Sequence, residues 1–282
     1  MVLEIIVWVD CCFIIMQLDI KEQSLILEGK KYSRKELMSL SANATGDNTS
    51  SFLLDLYRFL ADWFSDSPFM TVHTSGSTGT PKVLTVRKEQ MMQSARMTCE
   101  FLNLHTGDTA LLCMPLQYIA GKMMVVRALV AGLNLILRTP SGHPLADVTV
   151  PLRFVAMVPL QVFNTLQVLR EKERLCHTDI LIIGGGAIDA ALENEIRLLP
   201  GEIYSTYGMT ETLSHIALRR LNGSSASPYY RPFSSVELSL SPENTLVIKA
   251  PLVCDDILFT NDVAQLYPCL LYTSDAADDL TR

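Results

Sequence analysis

The sequence predicts an α/β fold, a doubly wound and mostly parallel sheet joined to a small antiparallel, barrel-like subdomain. Three observations carry this expectation. Apolar runs alternate with segments of helical periodicity from about residue 69 to residue 206. Runs such as TALLCM (109–114) and DILII (179–183) are continuously apolar, as strands covered on both faces are. Past Leu213 the rhythm changes to short strand-like segments separated by polar turns.

The elements follow in order. Residues 1–15 are strongly apolar but carry Glu4 and Asp10. They lack the basic start of a signal peptide and the length of a membrane span. Two readings stay open: a buried strand, or upstream translation with Met16 as the true start. A large α/β domain is expected over 16–212. It begins with a strand at 24–28, a turn at Gly29-Lys30 and a helix opened by a Ser33/Glu36 capping box. A polar loop (41–50) and a helix (51–65) come next. Strands are expected at 69–73, 83–86, 109–114, 134–138, 153–158, 179–183 and 202–206, and helices at 88–104, 121–131, 160–170 and 188–198. A β-rich subdomain of the same domain spans 213–268, with strands at 235–240, 245–249 and 256–259. Residues 269–282 (CLLYTSDAADDLTR) differ abruptly in character and read as a non-native tail.

Composition narrows the function classes. The 282 residues are 49% hydrophobic and 19% charged, which is the make-up of a packed domain and not of a disordered chain. A net charge of −7 without a basic block argues against nucleic-acid binding. Seven cysteines without C-x-x-C read as reduced thiols, and cytoplasm is the expected compartment.

Chemistry concentrates in a few segments. Thr74-Ser75-Gly76-Ser77-Thr78-Gly79-Thr80-Pro81-Lys82 combines two glycines, several hydroxyls and a lysine. Such a loop aims N–H and O–H donors at a polyphosphate. It is not a Walker A loop, because Lys82 follows Pro81 and not Gly. Gly184-Gly185-Gly186-Ala187 carries no side chain larger than a methyl and leaves its backbone open to close approach. The loops after His73 and after Ile183 are both expected at carboxyl ends of parallel strands, where such sheets bind ligands.

With its companions in order, TSGSTGTPK resembles the phosphate loop of the adenylate-forming superfamily. GGGA (184–187) resembles that family's adenine-packing turn, and TYGMTET (206–212) its most characteristic motif. TND (260–262) resembles the segment whose aspartate binds ribose. The resemblance implies an enzyme that activates a carboxylic acid with ATP and Mg²⁺ and passes it to coenzyme A. It implies nucleotide contacts from Thr74–Gly79, Gly184–Ala187, Thr206, Tyr207, Gly208 and Asp262. It implies catalytic roles for Lys82, Thr210 and Glu211, and magnesium ligation by Glu211 with Thr78.

Residues 114–127 (MPLQYIAGKMMVVR) resemble the acyl-pocket segment of the o-succinylbenzoate–CoA ligases of menaquinone biosynthesis. Tyr118, Gly121, Arg127 and His215 are then the acyl-site candidates. Arg127 sits in an apolar helix and asks for an anion, either a second substrate carboxylate or a structural carboxylate of the protein. Tyr118 stands where a His is common and Ala120 where a Ser is common, and His215 could equally be a satisfied structural histidine. The family's small C-terminal lid domain, which supplies a further lysine, is expected to be absent, leaving a fragment of low activity. Other aryl- or acyl-CoA ligases, or a non-catalytic nucleotide-binding module, remain the alternatives. No nucleic acid and no membrane span are expected among its partners.

Overall fold

A computed structural model describes residues 19–44, 50–73, 83–267 and 270–273. The apolar stretch 1–15, the phosphate-loop residues 74–82 and the tail from 274 onward lie outside the described residues.

The chain opens with the hairpin β1 (Ser24–Leu27) and β2 (Lys30–Ser33) and the helices α1 (Arg34–Asn43) and α2 (Ser51–Trp63). The capping box is present: the Ser33 hydroxyl accepts from the Glu36 N–H, and the Glu36 carboxylate accepts from the Ser33 N–H at 2.8 Å. β3 (Phe69–His73) and β4 (Val83–Arg87) follow, then α3 (Lys88–Phe101), β5 (Thr109–Leu112), α4 (Ile119–Ala131), β6 (Asn134–Leu137) and β7 (Leu152–Met157). Next come α5 (Pro159–Gln167), α6 (Leu169–Cys176), β8 (Thr178–Ile183), α7 (Ala190–Ile196) and β9 (Glu202–Gly208). A 3-10 turn (Thr210–Thr212) leads to β10 (His215–Arg220), β11 (Arg231–Pro232), β12 (Glu237–Leu240), β13 (Thr245–Lys249), β14 (Leu258–Tyr267) and β15 (Leu270–Thr273).

Nine strands form one sheet in the order β11-β10-β9-β8-β7-β5-β6-β1-β2. The six from β9 to β1 pair in parallel, and β2, β10 and β11 pair antiparallel at the edges. Pleating divides each inner strand between two cores. Phe154, Ala156, Ile180 and Ile182 join the side covered by α3 and α4. Val155, Met157, Leu181 and Ile183 join the side covered by α5, α6 and α7. The sheet is therefore doubly wound, as the continuous apolar runs imply. A separate four-stranded antiparallel sheet, β12-β13-β14-β15, follows it.

Several details differ from expectation. β3 and β4 form their own two-stranded antiparallel sheet, with His73 paired to Val83. β3 therefore ends in an antiparallel pair and not as a strand of the parallel sheet. The expected helix 160–170 is two helices, because Val168 is extended (φ −114°, ψ 112°) and resets the phase of the apolar face. The boundary expected at 213 falls inside the large sheet, since β10 and β11 belong to it and the separate sheet begins at Glu237. β14 runs ten residues and takes the TND triplet into its interior.

α4 is buried all round: every residue from Met123 to Ala131 is covered. A helix of this kind is central and not amphipathic. It ends at Gly132, whose φ of 71° needs a residue without a Cβ penalty. Among the described residues no helix is long and apolar enough to cross a membrane. Cys99 and Cys113 are buried free thiols, and burial pushes both up to about 12.

Candidate nucleotide and acid site

The parallel strands β7, β8 and β9 end side by side, and their carboxyl ends carry the candidate residues. The Gly184 N–H donates to the Met157 carbonyl at 3.1 Å, which fixes the turn after β8 against the end of β7. Gly185 has φ 78°, a left-handed conformation that glycine adopts freely. Gly184 is required for a second reason: a Cβ there would overlap the Thr206 hydroxyl on β9. The Gly184→Ala variant is expected to cost about 1 kcal/mol of stability through this clash, and clearly less in a Thr206→Ala background, since contacting residues couple. Chemical denaturation of the four proteins checks this; strictly additive losses would refute the contact.

On β9, Tyr207 donates its hydroxyl to Asp262 Oδ2 at 2.6 Å, across to β14. Its ring meets Tyr230 edge-on with centroids 5.9 Å apart. Burial first, and then the Asp262 carboxylate, push the Tyr207 phenol well above its ordinary value, so it remains a donor. This contact joins the large sheet to the small one and brings together two of the predicted nucleotide residues.

The turn after β9 is bonded to itself. The Thr212 hydroxyl is fully buried and accepts from the Met209 N–H at 3.0 Å, while the Leu213 N–H donates to the Thr210 carbonyl at 2.9 Å. Leu213 is held at φ 66°. In this turn Thr210 is half-buried and Glu211 exposed. Neither side chain makes a hydrogen bond or ion pair among the described residues. Glu211 is free to take a hard cation, and magnesium needs only one or two carboxylates when phosphate oxygens complete its shell. Among the described residues no three His, Cys, Asp or Glu side chains converge.

The acid candidates lie along α4 and at the start of β10. Tyr118 precedes the helix and is 39% exposed. A Cβ on Gly121 would overlap the Pro115 carbonyl, so glycine lets the first turn close onto the preceding loop. Arg127 stands nine residues beyond Tyr118, roughly 13 Å along the helix axis. It is 2% exposed. Its Nη2 donates to Ser214 Oγ at 2.8 Å, its Nη1 lies 3.8 Å from Met124 Sδ, and its Nε has no partner. No carboxylate pairs with it among the described residues. Burial pulls the guanidinium down to about 10, which still leaves it charged at neutral pH.

His215 is 5% exposed, with Nε2 3.1 Å from Thr98 Oγ1 and Nδ1 3.3 Å from Ser214 Oγ. Both ring nitrogens are engaged, so it sits behind Ser214 instead of offering a free edge. Burial and then Arg127 hold it well below its ordinary range, hence neutral. Ser214 and Thr98 escaped the sequence reading. The available signal was the hydroxyl pair Ser94/Thr98, spaced one turn apart on the buried side of a Met-rich helix. Lys122 escaped it too; its Nζ donates to the Thr71 carbonyl at 2.7 Å and ties the β3–β4 hairpin to α4. Thr74–Gly79 and Lys82 lie outside the described residues. Asp255 is occupied elsewhere, bonded to Arg87 and, at 3.3 Å, to Gln90.

The glycine turn and the Tyr–Asp pair thus stand at the carboxyl ends of parallel strands, the place where open α/β sheets bind ligands. The chain belongs to the AMP-binding enzyme family, whose sequence profile matches residues 10–249. It is similar to the 2-succinylbenzoate–CoA ligase of Haemophilus influenzae, 29% identical over 168 residues, covering 59% of this chain and 36% of that protein. The Enterococcus faecalis protein of the same name is 31% identical over 152 residues, covering 51% and 30%. The aligned stretch thus spans about a third of these relatives' length. Among solved structures, an acyl-CoA synthetase (AMP-forming)/AMP-acid ligase II-like protein from Dyadobacter fermentans superposes with a TM-score of 0.77. It is 32% identical and covers 86% of this chain and 69% of that one. The O-succinylbenzoate coenzyme A synthetase of Bacillus subtilis, in complex with ATP and magnesium ion, shares the fold at 17% identity. Its TM-score is 0.65, with 93% of this chain and 78% of that one covered.

Proposed function

We propose that this chain binds ATP and an aryl dicarboxylic acid and serves AMP-forming activation of that acid for transfer to coenzyme A, with o-succinylbenzoate as the acid. The observation that carries the acid class is Arg127, a buried cation with an unused Nε and no carboxylate partner among the described residues. A buried ion without a counter-ion is costly, and a ligand carboxylate would supply one. An activated acid uses one carboxylate in the reaction, so a counter-ion for Arg127 requires a second. The names of the relatives agree with this acid.

The chemistry is a displacement followed by acyl transfer. An oxygen of the acid attacks the α-phosphorus of ATP, the bond to pyrophosphate breaks, and the acyl-adenylate forms. The thiol of coenzyme A then adds to the acyl carbonyl and AMP leaves. The turn Gly184–Ala187 and the Tyr207 ring would flank the base, with Asp262 beside it for the ribose hydroxyls. Thr206 and Gly208 would line the path toward the α-phosphate, where Thr210 donates. The loop residues Thr74–Gly79 and Lys82 would hold the outer phosphates. Glu211, with Thr78, would hold magnesium, which when bound neutralises phosphate charge. Catalysis is then positioning and charge neutralisation, without a side-chain nucleophile.

Thermal melts with AMP, a benzoyl-adenylate mimic and a succinylbenzoyl-adenylate mimic test this. A ligand at about 100 times its Kd adds about 2.7 kcal/mol. The expected order is succinylbenzoyl above benzoyl above AMP. Equal shifts would remove the dicarboxylate, and no shift in a cooperatively melting protein would remove nucleotide binding.

A further inference from the structure

The strongest unexplained feature of the acid region is the polar chain behind Arg127. Arg127 Nη2, Ser214 Oγ, the two nitrogens of His215, Thr98 Oγ1 and the Ser94 carbonyl follow one another at 2.8, 3.3, 3.1 and 3.1 Å. Arg127, His215, Thr98 and Ser94 are all at least nine-tenths buried. No acid interrupts the chain.

Donor arithmetic fixes its direction. The Thr98 hydroxyl has one hydrogen, and the Ser94 carbonyl can only accept, so Thr98 donates there and must accept from His215 Nε2–H. A neutral imidazole then presents a lone pair at Nδ1, and the Ser214 hydroxyl donates to it. With its hydrogen so committed, Ser214 turns a lone pair to Arg127. For a neutral ring, this placement alone makes all four bonds. The reverse tautomer would take the Thr98 hydrogen away from Ser94 and leave that contact unmade.

We infer that His215 is a positioning residue for acid selectivity, which acts through Ser214 to hold Arg127 with one edge anchored and its buried Nε left without a protein partner, for a distal carboxylate to take. The inference rests on the reading of Arg127 as the acid's counter-ion. A carboxylate in place of His215 would also anchor Arg127, but it would neutralise the cation and remove its use for a ligand. A neutral imidazole orients without cancelling the charge. Among the other histidines whose side chains are described, none is equivalent: His105, His143 and His177 lie on other elements.

The test compares o-succinylbenzoate with 3-benzoylpropionate, the same skeleton lacking the ring carboxylate, by calorimetric titration in the presence of AMP. The wild-type chain is expected to prefer the dicarboxylate. His215→Leu should lower that preference about tenfold, the loss expected when one hydrogen bond orienting a charged group is removed. Its affinity for 3-benzoylpropionate should hold. His215→Asn keeps an acceptor near the Nδ1 position and should restore most of the preference. A purely structural histidine would instead weaken both acids together, with no rescue by Asn, and that result overturns the inference. Nitrogen NMR of histidine-labelled protein adds an independent readout. His215 should appear as the neutral Nε2–H tautomer, and an Nδ1–H signature would overturn the relay. Equal wild-type affinity for the two acids would overturn the Arg127 reading itself, and the inference with it.

Discussion

Replacing Arg127 by Met should weaken o-succinylbenzoate binding by about 2–5 kcal/mol, the range found when one member of a buried charge pair is removed. The same substitution should leave the unliganded protein as stable as before or more stable. The two effects have opposite signs for one reason. Arg127 is buried on a helix covered all round, with a single hydroxyl partner at 2.8 Å and no counter-ion among the described residues. Its desolvation is uncompensated in the free protein, and an apolar side chain of similar length is well tolerated in such surroundings. Benzoate-type monocarboxylates should bind the variant as they bind wild type. Chemical denaturation and acid titrations on the same samples check both halves. A drop in stability with unchanged acid selectivity would show that Arg127 serves the core and not a ligand.

Much of the framework was legible because single strands and helices carry their own signals. Leu111 and Leu112 face opposite cores, so both must be apolar, and a continuous apolar run results. The Ser33/Glu36 box is likewise local. What stayed hidden depends on partners distant in sequence. SHIALRR looks like no strand in isolation, yet it becomes β10 because β9 offers it an antiparallel edge. The TND triplet drew attention as a motif and so concealed the long β14 around it. Arg127 announced itself by being charged in an apolar helix. Its partner Ser214, by contrast, is 87 positions away, and Thr98, which reaches it only through His215, is 29 away; ordinary hydroxyl residues give no warning of such a meeting. Tyr207 and Asp262 were read as separate contacts to one nucleoside, and the fold adds the bond between them.

Gly208→Ala should be far more damaging than Gly184→Ala, lowering nucleotide and acid binding together. The contrast with Gly184 explains why. At Gly184 the obstacle is the end of a Thr side chain, which can rotate away. At Gly208 a Cβ would overlap the Ser214 carbonyl and sit 2.5 Å from the His215 Cα, both of them backbone. Backbone can yield only by moving β9 away from β10 where the two strands pair, at Gly208 and His215. That shift displaces Tyr207, the residue before, from Asp262 on one side. It displaces Ser214 and His215 from Arg127 on the other. Overpacking of this kind costs about 1–3 kcal/mol in stability, and the loss in each ligand's affinity should come on top of it. Measuring AMP and acid affinities separately, with stability as the control, distinguishes this from general unfolding. If nucleotide binding falls while the acid is bound as before, the two subsites are independent and do not share the β9–β10 crossing as their common support.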